Sequence, residues 1–132
     1  ELTQSGMDAL QREVFVQMQF RLRRVGYRTA YPRAMDEIIC TESGTPVGSV
    51  LVDRTEDGMR LVDLAVVAEW QRQGLGTQMI QELQHECAAR DWEMSLQVLK
   101  GNPAERLYRQ LGFKVAGEGP LRTQMVWDRM RV

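Results

Sequence analysis

Two adjoining segments decide the fold: a strand-like run from Leu61 to Val67, and a loop that opens a helix with the sequence Gln71-Arg72-Gln73-Gly74-Leu75-Gly76-Thr77. From Gly74 to Arg90 the apolar side chains recur at helical spacing, at positions Leu75, Met79, Ile80, Leu83 and Cys87. The opposite face carries Gln, Glu and His, so this segment predicts an amphipathic helix. A strand that passes through a short loop into such a helix is typical of an α/β domain.

The glycines at the start of this helix indicate where an anion could bind. The first turn of a helix has unpaired N–H groups and the positive end of the helix dipole. Because Gly74 and Gly76 lack Cβ atoms, a phosphate can approach those donors closely, and Arg72 can add a charge-assisted contact. The segment lacks the Gly-Lys-Ser/Thr of a Walker A loop, and Met79 stands where a dinucleotide fingerprint needs a small residue. From these residues alone, pyrophosphate binding and mere close packing of helix and strand are equally good interpretations.

Upstream of these segments the sequence predicts one helix and three strands. The helix spans Asp8 to Val25, with apolar residues at helical spacing, namely Leu10, Val14, Met18, Leu22 and Val25. The strands run from Glu37 to Thr41, from Val47 to Asp53 and from Met59 to Val67. The turns between them contain Gly-Thr-Pro and Glu-Asp-Gly. Connections this short favour an antiparallel meander.

Downstream, the alternation of apolar and polar residues predicts a strand from Glu93 to Val98. A compact helix follows, with Asn102 as N-cap, Pro103 at its first position and Gly112 just past its end. Two final strands lie near Phe113–Ala116 and Leu121–Trp127. This order of elements predicts one α/β domain over residues 1–132. Its mixed sheet begins as a meander and continues through helical βαβ crossovers.

Composition narrows the classes of partner and compartment. The 132 residues include 17 basic and 18 acidic ones, so there is no electrostatic reason to expect nucleic acid or an anionic membrane as partner. Cys40 and Cys87 are far apart and His85 is the only histidine, which nearly excludes a zinc site and predicts no bound metal. With no apolar run of membrane-spanning length and no signal-peptide core, we expect a soluble cytoplasmic protein with two reduced thiols.

Two motifs together resemble the landmarks of one enzyme family. Gln71-x-x-Gly74-x-Gly76, preceded by Leu64-Ala65-Val66, is similar to the cofactor motif of the GNAT superfamily of N-acetyltransferases. The segment from Asn102 to Phe113 is similar to the second landmark, in which Asn-x-x-Ala precedes Leu-Tyr-x-x-Leu-Gly-Phe. Each motif is modest alone, but both in this order are specific, and the resemblance covers roughly Val47 to Trp127. It implies a GNAT-like fold and transfer of an acetyl group from acetyl-CoA to a primary amine of a small molecule, peptide or protein.

The resemblance also implies where the cofactor lies. Acetyl-CoA would occupy a cleft where the strands Leu61–Val67 and Glu93–Val98 splay apart. Backbone groups around Leu64, Ala65 and Val66 would bind the pantetheine, and Asn102 would contact the cofactor's arm. The backbone amides that would hold the pyrophosphate belong to Gln71, Arg72, Gln73, Gly74, Leu75, Gly76 and Thr77.

Two residues are candidates for proton transfer. Tyr108 matches the position where many family members keep a general acid, although it could simply complete an apolar helix stripe with Ala104 and Leu111. Some members carry a glutamate base where this chain has Gln97, so Asp63, beside the cofactor segment, is the best substitute. Because burying an unpaired charge is costly, a carboxylate at position 63 favours a location in a cleft. An aspartate on the open face of an antiparallel strand is an equally good interpretation. Because of Gln97, a non-catalytic acyl-CoA-binding sensor module remains the alternative function.

The N-terminal region departs from the family pattern. Members normally have an edge strand before the first helix, and only seven residues precede Asp8 here. We therefore expect a first strand that is short or missing, which would leave a bare sheet edge that a homodimer could cover. Four aromatic residues lie where the family usually builds its acceptor pocket: Phe15, Phe20, Tyr27 and Tyr31.

Overall fold

The computed structural model describes residues 29–128 and, before them, residues 11, 14, 18 and 25–27. These earlier positions are all helical, as the predicted first helix requires. Val14, Met18 and Val25 are however between 52% and 63% exposed. The predicted apolar stripe is thus on the surface at these three positions rather than packed into the core. Phe15, Phe20 and the predicted first strand lie outside the described residues.

Six strands and two longer helices follow in the predicted order, with boundaries within two residues of the predicted ones. The strands are β1 (Met35–Cys40), β2 (Pro46–Arg54), β3 (Gly58–Val66), β4 (Glu93–Leu99), β5 (Lys114–Glu118) and β6 (Arg122–Trp127). The helices are α1 (Leu75–Arg90) and α2 (Ala104–Gln110), and a short 3-10 helix spans Ala68–Trp70.

The strands form one mixed sheet in the order β1-β2-β3-β4-β6-β5. The first three strands are the predicted antiparallel meander, and β4 then lies parallel to β3 after the crossover through α1. The second crossover, through α2, skips one position in the sheet, and β6 fills that position antiparallel to both β4 and β5. The prediction of a mixed α/β sheet with helical crossovers is confirmed.

The core lies between α1 and one face of the sheet. The predicted apolar face of α1 is buried at Met79, Ile80, Leu83 and Cys87. It packs against inward side chains of the central strands, among them Val52, Leu61, Met94, Leu96 and Met125. Burial of side chains of this size stabilises a fold by about 1.5–3 kcal/mol each. Burial also raises the pKa of the Cys87 thiol to about 11, so this cysteine stays protonated at neutral pH.

An arginine cluster ties α1 to the meander. The Nε and Nη2 groups of Arg54 at the end of β2 donate to the two carboxylate oxygens of Glu86 on α1, at 2.6 and 2.9 Å. Arg54 also contacts Glu37 of β1 at 3.0 Å. The bond from Arg54 holds the pKa of Glu86 below its usual range. The paired, bidentate geometry fixes how α1 crosses the sheet.

Candidate active site

The two central strands separate along their length. β3 and β4 pair only where Gly58–Leu61 faces Glu93–Leu96, although β3 continues to Val66 and β4 to Leu99. Beyond the paired part, the backbone N–H and C=O groups on the facing edges have no partner strand. A cavity of about 580 Å³ lies at this separation. The strands therefore leave a cleft in the middle of the sheet, with hydrogen-bonding groups along its walls.

Four of the residues predicted for the site line this one cavity: Asp63, Leu64, Asn102 and Tyr108. Gln97, where the resemblance implies a glutamate in some members, lines it as well. Tyr27 and Tyr31 line the cavity too. The structure therefore brings together residues from β3, β4, α2 and the end of the first helix.

A bulge in β3 turns Asp63 toward the cavity. Leu51 of β2 faces Asp63, whereas the next residue, Val52, faces Leu61, so Val62 is an extra residue without a partner on β2. Side chains alternate between the faces of a strand, and one extra residue shifts this alternation. Without the bulge, Asp63 would share the buried face of Leu61. With it, Asp63 lies on the face of Arg60, and both residues line the cavity.

Tyr108 has a place both in the core and at the cavity. Its side chain is 7% exposed, and its ring lies 5.7 Å from that of Phe113 at an angle of 59°. It also lines the cavity beside Ala104 of the same helix. The two interpretations of this residue are thus compatible, because the ring completes the core while the residue borders the cleft.

Other carboxylates and the histidine lie away from the cleft. Asp53, Asp57 and Glu93 border a smaller depression of about 220 Å³ at the paired end of β3 and β4, and Arg60 lines both this depression and the larger cavity. Glu42 is in an exposed turn, and His85 is exposed on α1. Among the described acidic residues, Asp63 is the only one that lines the larger cavity.

The N-terminus of α1 has the features of an anion site. Its N-cap residue, Gly74, is left-handed with φ +82°, no side chain caps the helix, and the first turn has no acidic residue. A Cβ on Gly74 would meet nothing within 4 Å, and one on Gly76 would make only ordinary contacts with Leu107 and Leu64. Packing therefore does not demand glycine at either position, which favours the anion interpretation. A phosphate group would satisfy the N–H groups that a side-chain cap otherwise satisfies.

The loop before α1 is shaped by two glutamine side chains. The Nε2 group of Gln71 donates to the carbonyl oxygen of Val66 at 2.9 Å, and that of Gln73 donates to Glu69 at 3.0 Å. Between them Arg72 is left-handed, with φ +65°, a strained conformation for a residue other than glycine. The glutamine side chains thus hold the loop, and the backbone amides that follow Gln71, together with the exposed Arg72 side chain, are available to a ligand.

The cofactor residues predicted from the resemblance fall into two places. Leu64 and Asn102 line the cavity, whereas Ala65, Val66 and the loop residues 71–77 lie outside its lining. They continue from the β3 wall to the N-terminus of α1. The Oδ1 of Asn102 also accepts the N–H of Ala104, the first residue of α2, at 2.9 Å, although the N-cap position is held by Pro103, one residue later than predicted.

Two arginines of the cavity, Arg60 and Arg122, were not foreseen from the sequence. Arg60 lies between the buried residues Met59 and Leu61. The alternation of the strand therefore predicts that Arg60 is on the face away from the core, but not that a cavity lies there. Arg122 begins β6, in a strand that the sequence marks only by its pattern. The sequence could have pointed to these two arginines only through their positions on strands that flank the cleft, and recognising those strands requires the strand order.

Two further observations bear on what the molecule can bind. No helix among the described residues is long and apolar enough to span a membrane. Over the same part of the chain, no group of three or more His, Cys, Asp or Glu side chains could hold a metal ion.

Comparison with known proteins identifies one family. A family model described as an acetyltransferase (GNAT) domain matches residues 8–132. A search of curated proteins finds no match.

Solved structures with a similar fold include three from different organisms. A GNAT family acetyltransferase from Elizabethkingia anophelis with acetyl-CoA bound has a TM-score of 0.68 and 11% identity, covering 79% of this chain and 82% of that one. The ribosomal-protein-S18-alanine N-acetyltransferase of Escherichia coli has a TM-score of 0.64 and 25% identity, covering 73% of this chain and 69% of that one. PH1933 from Pyrococcus horikoshii has a TM-score of 0.60 and 19% identity, covering 67% of this chain and 62% of that one. The chain therefore spans less than two thirds of that protein.

Proposed function

Because this chain belongs to the GNAT acetyltransferase family, we propose that it transfers an acetyl group from acetyl-CoA directly to a primary amine of a small molecule, peptide or protein. The observation that carries this proposal is the separation of β3 from β4 beside the uncapped N-terminus of α1. The first feature provides a channel for an extended thiol arm, and the second provides donors for its pyrophosphate. We propose further that residues 1–132 form one catalytic domain and that it acts in the cytoplasm.

The cofactor half of the site uses mainly backbone groups. Edge groups of β3 around Leu64, Ala65 and Val66 would hold the pantetheine, and the amides of residues 71–77 would hold the pyrophosphate. Asn102 would contact the arm from the α2 side of the cavity, which it lines. A GNAT family acetyltransferase with a similar fold has been solved with acetyl-CoA bound, which supports acetyl-CoA as the ligand.

The catalytic half requires one proton to leave the amine and one to reach the departing thiolate. Tyr108 borders the cavity and is proposed as the acid that protonates the thiolate of CoA. Asp63, which the bulge turns into the same cavity, is proposed as the base or as the anchor of a water that relays the proton. Gln97 cannot serve as a base, because its amide does not accept a proton at neutral pH.

Because Gln97 cannot act as a base, a second function remains the alternative, namely a sensor that binds acyl-CoA without turnover. Two measurements separate the possibilities. We expect calorimetric titration to show acetyl-CoA binding, which both functions require and a purely structural domain would not show. We then expect thiol release with at least one primary amine in a broad screen. Binding of acetyl-CoA without thiol release from any amine would favour the sensor.

We also propose that two copies of the chain pair through β1. In the described part of the sheet, β1 is an edge strand, and its side chains Met35 and Ile38 are exposed. An exposed edge presents unpaired backbone groups that another strand can satisfy. Light scattering during size-exclusion chromatography is expected to give the mass of a dimer. A stable monomer over the accessible concentration range would contradict this assembly.

A further inference from the structure

The described part of the cavity lining carries a net positive charge, because it contains two arginines and one aspartate. Arg60 and Arg122 both line it, together with Tyr27 and Tyr31. The ion pairs between described residues use Arg54, Arg90, Lys100 and Arg109, so within that part of the chain no carboxylate pairs with either cavity arginine. Two arginines against the one carboxylate of Asp63 disfavour the binding of a simple alkylamine, which arrives protonated. They fit a ligand that brings its own negative charge.

Arg60 is held in place rather than extended into solvent. The residue is half-buried on β3, and its Nη1 group lies 3.4 Å from the Ser95 hydroxyl oxygen on β4. Its guanidinium carbon lies 5.9 Å from the centre of the Tyr31 ring. These two weak contacts restrict the side chain and leave most of its N–H donors for another partner. A guanidinium arranged in this way is suited to a carboxylate or phosphate, which it can bind through two parallel hydrogen bonds.

Arg60 and Asp63 place opposite charges on the same wall. The bulge at Val62 brings both onto one face of β3, and three residues of strand separate their Cα atoms by about 10 Å or slightly less. Both residues line one cavity. A small ligand with an amine at one end and an oxyanion at the other would meet a carboxylate and a guanidinium in the matching order.

We propose that the amine acceptor carries an oxyanion group within a few atoms of its amine, and that Arg60 binds this group while Asp63 faces the amine. This inference rests on the proposed acetyl transfer. The chemistry is shared by the α-carboxylate of an amino acid, an acidic side chain at a peptide's N-terminus and a phosphorylated amine. Arg122, which is exposed in the cavity wall, adds a second positive charge that attracts the same ligands.

Matched pairs of amines test the proposal and distinguish the three sources. The pairs are glycine and glycinamide, Asp-Ala amide and Asn-Ala amide, and O-phosphoethanolamine and ethanolamine. Thiol release from acetyl-CoA is measured with each, and kcat/KM is compared within each pair. We expect the anionic member of at least one pair to be preferred by about tenfold or more, since charge-assisted hydrogen bonds of this kind are strong. The preferred pair identifies the source.

Variants connect that preference to the residue. Arg60→Met is expected to bring the ratio within the preferred pair close to one, and Arg60→Lys to restore part of it. Arg106→Met is the matched control, because Arg106 is exposed on α2 and outside the cavity lining. It is expected to keep the ratio of the unchanged protein. Acetyl-CoA titrations verify that each variant is folded.

Several results would overturn the inference. It fails if the neutral member is used as well as the anionic one in every pair, or if Arg60→Met leaves the preference unchanged. It also fails if none of the six amines is acetylated. The proposed function itself fails only if the broad amine screen is silent as well, so the two failures are distinguishable.

Discussion

The variant Tyr108→Phe is expected to lower kcat for thiol release by about 100-fold or more, within the range that a positioned general acid contributes. Tyr108 is 7% exposed and borders the cavity. The variant removes one oxygen atom while keeping the ring that packs on Phe113. We therefore expect the fold and the affinity for acetyl-CoA to persist. Steady-state rates at saturating acetyl-CoA and amine, measured over a broad pH range, give the effect.

A second thioester separates the acid role from a role in packing. A thiolate that is less basic than that of CoA needs less help from an acid as it departs. An acetyl thioester of a more acidic thiol should therefore reduce the deficit of Tyr108→Phe, whereas a packing defect would slow both thioesters equally. An unchanged kcat over the whole pH range would show that Tyr108 is not the acid. Thermal unfolding of the variant verifies that the core is intact.

The sequence predicts those parts of the fold in which each element carries its own periodicity. α1 is amphipathic over sixteen residues, and the face that buries Met79, Ile80, Leu83 and Cys87 can be read from their spacing. Short turns between β1, β2 and β3 leave little choice but a meander. The stripe of the first helix shows the limit of this reasoning. Val14, Met18 and Val25 are helical as predicted but exposed, because whether an apolar residue meets a partner depends on the rest of the molecule.

The candidate site is less visible because it depends on register and strand order. The bulge at Val62 exists only in relation to β2, yet it decides whether Asp63 faces the core or the cleft. Arg60, Gln97 and Arg122 become neighbours of one cavity only after three strands are aligned. The left-handed backbone at Arg72 is equally hidden, since the sequence offers glycine for such a conformation two residues later. The motif resemblance supplies the positions of the cofactor residues, whereas no motif marks Arg60, Asp63 and Arg122, which we propose to face the amine acceptor.

A negative charge introduced at position 74 is expected to weaken the binding of acetyl-CoA strongly. Aspartate and asparagine tolerate the left-handed region better than other side chains, and both are good N-cap residues. Gly74→Asp and Gly74→Asn should therefore both fold, because a Cβ at this position meets nothing within 4 Å. The two variants differ by one negative charge at the start of α1. At roughly 5 Å from a phosphate charge, that carboxylate costs about 3 kcal/mol at an effective dielectric constant of 20, or about 100-fold in Kd.

Calorimetric titration with acetyl-CoA measures the difference between the two variants, and thermal unfolding verifies that they are equally stable. The Kd of the aspartate variant should exceed that of the asparagine variant by about 100-fold at low salt and by less at high salt, because ions screen exposed charges. Comparison with asparagine removes the effects of the added side chain and of backbone strain, and leaves the charge. Equal affinities at low salt would mean that no phosphate lies at the N-terminus of α1. The anion interpretation of Gly74 would then be wrong, and its left-handed backbone would be the remaining reason for a glycine at this position.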